Sequence, residues 1–196
     1  MEREAIKICF SGPYSWHGSS DAPCIFESSI RKRSSIYLWT VPQPEGSLIY
    51  YVGETGRSFE VRFFEHFQKH FSGCYHVYEP TSFSKGNKDC LWAGKYDKSF
   101  KFSIVSFIER ITELTPAIIE LAKLYTFFLA PIDCEKRLRQ RVEAAIAEHL
   151  YNQPGLIGQF QDKGIRYKPK KPEEEGIWFF IEAEPKVMGL PFRLMA

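Results

Sequence analysis

The stretch Ile49-Tyr50-Tyr51-Val52-Gly53-Glu54-Thr55-Gly56-Arg57 decides how the chain is read. Its first four residues are an aliphatic and aromatic run of the kind that favours a strand. Gly53 and Gly56 close that run in a turn, and Ser58 follows where a helix cap belongs. A core strand needs apolar side chains and a turn needs glycine, but neither needs two phenols beside that turn. Alternation along a strand sends Tyr50 and Tyr51 to opposite faces. Tyr51 is then the phenol expected beside the helix that follows, and Tyr50 reads as packing.

Upstream, residues 35–41 form a second β-rich run. Pro42-Gln43-Pro44-Glu45-Gly46 joins it to residues 48–52, which predicts a hairpin looser than a two-residue turn would give. Downstream, Ser58 caps a helix to about Phe71, with Glu60 at the positive end of its dipole. Phe59, Phe63, Phe64, Phe67 and Phe71 recur at helical spacing and are expected to form its buried stripe. Arg62 and His66 lie one turn apart on one face of this helix, at the rim of that stripe.

The rest of the chain supplies fewer signals. Residues 5–10 predict a strand, and residues 72–99 a long loop with one short helix. Residues 101–108 predict a further strand. Thr115-Pro116 opens a helix to about Leu124, with the proline in its first turn. Residues 125–132 predict a short strand. Asp133 caps a helix to about Asn152, which Gln153-Pro154-Gly155 closes. The polar tail ends in residues 177–181, which can add an edge strand. The fold expected is α+β: a small, mostly antiparallel three-stranded sheet flanked by helices over residues 35–152. Residues 1–34 are an amino-terminal extension and residues 153–196 a carboxy-terminal tail.

Of 196 residues, 44% are hydrophobic and 26% charged, an ordinary globular balance. The net charge of +2 does not announce a polyanionic partner, so local patches must carry one. Candidates are Arg31-Lys32-Arg33, the set Lys136, Arg137, Arg139 and Arg141, and Lys168, Lys170 and Lys171. His70, His76 and Lys69 read as solvated groups or backbone contacts. Five scattered cysteines without a CxxC argue against a zinc ribbon. Glu2, Arg3 and Glu4 stand where a leader's apolar run would start. No apolar stretch approaches the roughly 20 residues of a membrane span. The expectation is a reduced, cytoplasmic protein with no membrane partner.

Ser35-Ile36-Tyr37, then Tyr51-Val52-Gly53, then Arg62-Phe63-Phe64-Glu65-His66 resembles the GIY-YIG nuclease family, which includes homing endonucleases, an excision-repair nuclease domain and certain restriction enzymes. In that family the two tripeptides flank a hairpin, an Arg-x3-His helix follows, and a later helix carries a metal-binding glutamate, often with an asparagine downstream. Glu143 and Asn152 are the residues that fit here. Ser35 stands in place of the first glycine and Val52 in place of isoleucine. The long hairpin and the 72–99 segment point toward the restriction-enzyme-like branch.

The resemblance implies a Mg²⁺-dependent DNA endonuclease, with Mn²⁺ able to substitute, in host defence or repair. Glu143 would hold the metal, a hard cation suited to oxygen ligands and retained water. Arg62 would clamp phosphoryl oxygens. Tyr37 would take the proton from water, with Arg62 and the metal either lowering its pKa or relaying the proton. Tyr51 and His66 would position water and Tyr37, and His66 could share the base role. Gly53 would let the backbone turn beside the phosphate, and Asn152 would help position it. Symmetric double-strand cutting would require a homodimer or two visits.

Each residue also has an ordinary explanation. Tyr37 and Tyr51 suit a cross-strand aromatic pair, Arg62 a solvated helix position, and His66 a satisfied, partly buried histidine. Glu143 suits an i,i+4 partner of Arg139, and Asn152 a helix terminus. Periodicity leaves Glu148 as a rival carboxylate. The alternative function is a catalytically silent nucleic-acid-binding or interaction module of the same fold.

Overall fold

The computed structural model describes residues 6–97, 99, 101–163 and 165–196. Glu2, Arg3, Glu4 and Ala5, on which the leader argument and the start of the first strand rest, lie outside the described residues. The strands are β1 (Ile6–Tyr14), β2 (Ser35–Gln43), β3 (Gly46–Thr55), β4 (Val77–Tyr78), β5 (Cys90–Trp92), β6 (Thr126–Pro131), β7 (Trp178–Glu184), β8 (Val187–Met188) and β9 (Arg193–Met195). The α-helices are α1 (Phe59–Phe71), α2 (Pro80–Ser84), α3 (Ile104–Leu124), α4 (Lys136–Tyr151) and α5 (Gly155–Phe160).

The small three-stranded sheet expected from the sequence is incorrect. Seven strands form one mixed sheet in the order β8-β3-β2-β6-β1-β7-β9, and β4 and β5 pair separately. β3, β2, β6 and β1 are antiparallel neighbours, whereas β1 runs parallel to β7 and β3 to β8. The added strands come from both ends of the chain. Apolar alternation shows that a strand buries one face; it does not identify the strand beside it. Of residues 177–181, those from Trp178 on accordingly fall in an interior strand, with β1 on one side and β9 on the other.

Both faces of the sheet centre are covered. β2 is buried at every position from Ser35 to Val41, so it reads as a continuous apolar run. On one face Tyr37, Trp39, Val41, Leu48 and Phe127 pack with Phe59 and Phe63 of α1 and Leu114, Ile118 and Leu121 of α3. On the other, Ile36, Leu38, Ile49, Val52 and Phe128 pack with Val142, Ile146 and Leu150 of α4 and with Phe179 and Ile181 of β7.

Several local expectations are corrected. The hairpin is tight, since β2 ends at Gln43 and β3 begins at Gly46. The predicted strand over 101–108 is instead the start of α3, capped by the Ser103 side chain, which accepts from Ser106 N–H. Its β-branched run suited a strand, but Phe107, Leu114, Ile118 and Leu121 bury one helical stripe. Pro116 lies well inside α3 rather than opening a helix. The segment 72–99 holds α2 and the β4–β5 pair. The N-cap of α4 is Glu135, not Asp133, and its side chain makes no capping bond. Ser58 does cap α1, accepting from Val61 N–H.

β3 contains the deviation that matters most. Trp39 stands opposite Tyr51 and Thr40 opposite Ile49, leaving Tyr50 as an extra residue. Such a bulge re-aims the side chains around it. Tyr50 and Tyr51 therefore both pack with the α1-side cluster, while Ile49 and Val52 pack with the α4-side cluster. The separation of the two phenols by simple alternation does not hold.

Candidate active site

Tyr37 is the centre of the cluster. Its ring is fully buried, and Gly53 lies directly opposite it in the β2–β3 register. A Cβ at Gly53 would stand 2.2 Å from Tyr37 Cζ. Gly53 is thus an interior strand residue that leaves room for the phenol; the turn itself comes later, after Thr55. Arg62 and His66 reach Tyr37 from α1. Arg62 Nε donates to Tyr37 Oη at 2.9 Å, and His66 Nε2 lies 2.9 Å from the same oxygen. The Tyr51 ring centroid is 5.9 Å from that of Tyr37 and 6.1 Å from that of His66.

His66 is buried beneath Tyr37 rather than at a solvated rim. Its second nitrogen, Nδ1, lies 2.7 Å from the hydroxyl of Tyr75, a residue that no sequence pattern singled out. Burial pushes the His66 pKa well down, and the charges of Arg62 and Lys69 push it further, so the imidazole is neutral. Burial also raises the Tyr37 pKa, as does Tyr51, and Arg62 offsets only part of this. Arg62 acts in the expected, lowering direction, but alone it does not bring the Tyr37 pKa below its ordinary value. Burial opposes the Arg62 charge, but Tyr37 and Tyr51 beside it hold its pKa up.

Glu143 comes from α4, on the opposite side of the sheet, near enough for its charge to act on Tyr51 and to feel that of Arg62. The free edge of β3 makes this geometry accessible. β8 pairs only with Ser47 and Leu48, so the later backbone groups need other partners. Gln161 Nε2 donates to Ile49 O at 2.7 Å, and Asp162 N–H donates to Tyr50 O at 2.7 Å. Tyr167 Oη donates to Val52 O at 3.4 Å. Glu54 N–H donates to Glu143 Oε1 at 3.0 Å. Burial, then the neighbouring Glu54 carboxylate, pushes the Glu143 pKa up to about 7. Glu54 itself pairs with Arg139 Nε at 3.2 Å.

A cleft of about 380 Å³ opens beside these groups, lined by Glu54, Thr55, Gly56, Arg57, Arg62, Lys136 and Arg139. Four cations face one carboxylate there, which suits an anionic ligand. Arg57 is braced by Glu65, its Nη2 donating to Oε2 at 2.7 Å. Several other basic residues nominated from the sequence are committed elsewhere. Arg137 Nε donates to Glu174 Oε1 at 2.6 Å, and Lys32 Nζ donates to Glu60 Oε2 at 2.7 Å. Arg141 is buried and donates to the carbonyl of Ala196 at 2.6 Å. His70 is buried against Ile118 O at 2.8 Å, not solvated.

Asn152 is not brought into this cluster. It is the C-cap of α4, nine residues beyond Glu143, or about 13 Å along the helix axis. Among the described residues no group of three or more His, Cys, Asp or Glu is arranged to hold a metal ion. The donor set that remains is Glu143 with Glu54 beside it. A carboxylate whose burial, with a second carboxylate beside it, raises its affinity for positive charge fits a hard divalent cation that keeps most of its own waters. Glu54, Tyr75 and Tyr167 were missed by sequence reasoning. Glu54 lies within the quoted stretch, but a carboxylate after a glycine is ordinary turn composition. Tyr75 and Tyr167 lie outside any periodic segment. Among the described residues no helix is long and apolar enough to cross a membrane. Comparison with family models, with curated proteins and with solved structures finds no match to the chain.

Proposed function

We propose that the chain is a Mg²⁺-dependent DNA endonuclease of the GIY-YIG kind. The observation that carries this is the meeting of Arg62 Nε and His66 Nε2 on Tyr37 Oη, each at 2.9 Å, beside a cationic cleft into which Arg62 itself faces. Phosphodiester hydrolysis needs an activated water and neutralised charge on the phosphoryl oxygens. Arg62 is held by Tyr37 at Nε and by Glu65 at Nη1, 3.5 Å away, and it lines the cleft, so its planar fork is already oriented where a phosphate would enter. Tyr37 takes the proton of the attacking water while its own proton has His66 Nε2 to go to. Tyr51 flanks both rings and shapes the water position. Arg57, Lys136 and Arg139 attract and seat the DNA backbone. A Mg²⁺ on Glu143 would supply further charge neutralisation at the phosphoryl group. All five cysteines are free, which supports a reducing, cytoplasmic setting.

The test is supercoiled plasmid DNA incubated with the purified chain in Mg²⁺ or in EDTA, with Glu143→Ala alongside. Wild type should convert the plasmid to nicked or linear forms only with Mg²⁺, and Glu143→Ala should lose at least a hundredfold in rate. Cutting in EDTA, or by Glu143→Ala, would overturn the metal assignment. Binding without cleavage of any DNA would turn the reading to a silent binding module.

A further inference from the structure

We propose that Tyr75 is a relay residue, which acts through His66 to carry the proton of the attacking water from Tyr37 out to solvent. The proposal rests on the nuclease reading above and extends it beyond the residues that the sequence singled out.

The geometry is a continuous chain of hydrogen bonds. Tyr37 Oη and His66 Nε2 are 2.9 Å apart, and His66 Nδ1 and Tyr75 Oη are 2.7 Å apart. Tyr37 is fully buried and His66 nearly so, whereas Tyr75 is partly exposed. The chain therefore leads from the core to the surface, where the Tyr75 ring faces the exposed Tyr96 at 6.0 Å. Its path through His66 answers a physical difficulty. The imidazole is surrounded by Tyr37 from β2, Tyr51 from β3, Arg62 and Lys69 on its own helix, and Tyr75 from the segment after α1. Two cations and no carboxylate stand in that set, so an imidazolium would be a buried, repelled charge. A histidine in this position cannot store a proton. It can pass one, because a hydroxyl faces each ring nitrogen.

The transfer balances as follows. Water gives a proton to Tyr37 Oη as Tyr37 gives its own to His66 Nε2. The Nδ1 proton passes to Tyr75 Oη, and the Tyr75 hydroxyl proton leaves to solvent. One proton enters, one leaves, and no side chain ends charged; the imidazole has changed tautomer. The reset uses the leaving group: before product departs, a proton entering through Tyr75 to Nδ1 lets the Nε2 proton pass to Tyr37 as the Tyr37 proton goes to the leaving alkoxide oxygen, which restores the start.

Tyr75→Phe removes the hydroxyl and keeps the ring that packs near Trp39 and His66. With plasmid and Mg²⁺, kcat should fall at least tenfold with DNA affinity unchanged, and a curved proton inventory in H₂O/D₂O mixtures should become linear. If wild type cuts and Tyr75→Phe cuts equally well with the same inventory, the hydroxyl carries no proton and the relay is wrong. A packing role alone predicts that equality, with loss only in Tyr75→Leu. The second measurement needs no activity: the ¹⁵N shifts of the His66 ring. Wild type should show shifts averaged between two tautomers, and Tyr75→Phe a single Nε2–H form. Identical tautomer populations in both proteins would overturn the relay even if the nuclease reading stands. If wild type cuts nothing yet the tautomers respond as stated, the nuclease reading fails and the hydrogen-bonded chain survives it.

Discussion

Ser35 opens β2 with a backbone φ of 136°, in a region where a side chain is strained and glycine is not. It is the position where the resemblance would place glycine, and here a serine occupies a backbone conformation that suits glycine better. Ser35→Gly should therefore raise the unfolding free energy by about 1 kcal/mol once the greater freedom of glycine in the unfolded chain is subtracted, read as a higher urea midpoint. A lower midpoint would mean that serine contacts outweigh the strain. Gly53 is the complementary case, since the space its missing side chain leaves is filled by the Tyr37 ring. The sequence brought both residues to notice through their tripeptides. The role assigned to Gly53, a turn beside phosphate, gave way because its strand partner is a buried aromatic ring. The pairing of Tyr50 with Tyr51 was likewise misjudged, because a bulge is a mismatch between two strands and leaves no period in either one.

At the scale of the element, α1 shows how a stripe can be read correctly in period and wrongly in membership. Its buried residues are Phe59, Phe63, His66 and His70, whereas Phe64 is 52% exposed. The spacing is helical throughout, but five phenylalanines outbid two histidines on any hydrophobic scale. The histidines are tolerated because hydrogen bonds meet their nitrogens, His70 Nε2 donating to Ile118 O at 2.8 Å. Burial lowers the His70 pKa from 6.5 to about 4. The unfolded chain then binds more protons between those values, so the stability this residue contributes is complete above about pH 6.5 and is lost as pH falls toward 4. The loss amounts to about 2 kcal/mol by pH 5. His70→Gln keeps an N–H near the carbonyl and cannot titrate. Urea midpoints at pH 7 and pH 5 should lie closer together in the variant than in wild type. An unchanged gap would assign the acid sensitivity elsewhere.

At the scale of the whole molecule, the carboxy-terminal third is part of the fold. β7 lies between β1 and β9, and Phe179, Ile181, Val187 and Ala196 belong to the cluster beneath α4. Arg141 of α4 donates to the carbonyls of Glu175 and Ala196. Gln161, Asp162 and Tyr167 cover the β3 edge on which Glu143 sits. A chain ending at residue 176 should lose cooperative urea unfolding and soluble expression, because it exposes the edge of β1 and part of a core face. A truncated chain that is soluble and unfolds at the wild-type midpoint would show that the last three strands are dispensable.

By itself the sequence determined what depends on neighbours along the chain. It marked β2, β3, β6 and α1 as elements, Ser58 as a cap, and Arg62 and His66 as one turn apart, since caps and periodicity act over a few residues. Tertiary structure alone decided the partners. The contact of Tyr37 with His66 spans 29 residues and that of Glu54 with Glu143 spans 89. Strand order, the bulge that turns both tyrosines inward, and the second hydroxyl on His66 have the same origin. They arise where separately formed elements meet, and the free energy that selects them is that of burying those elements against one another.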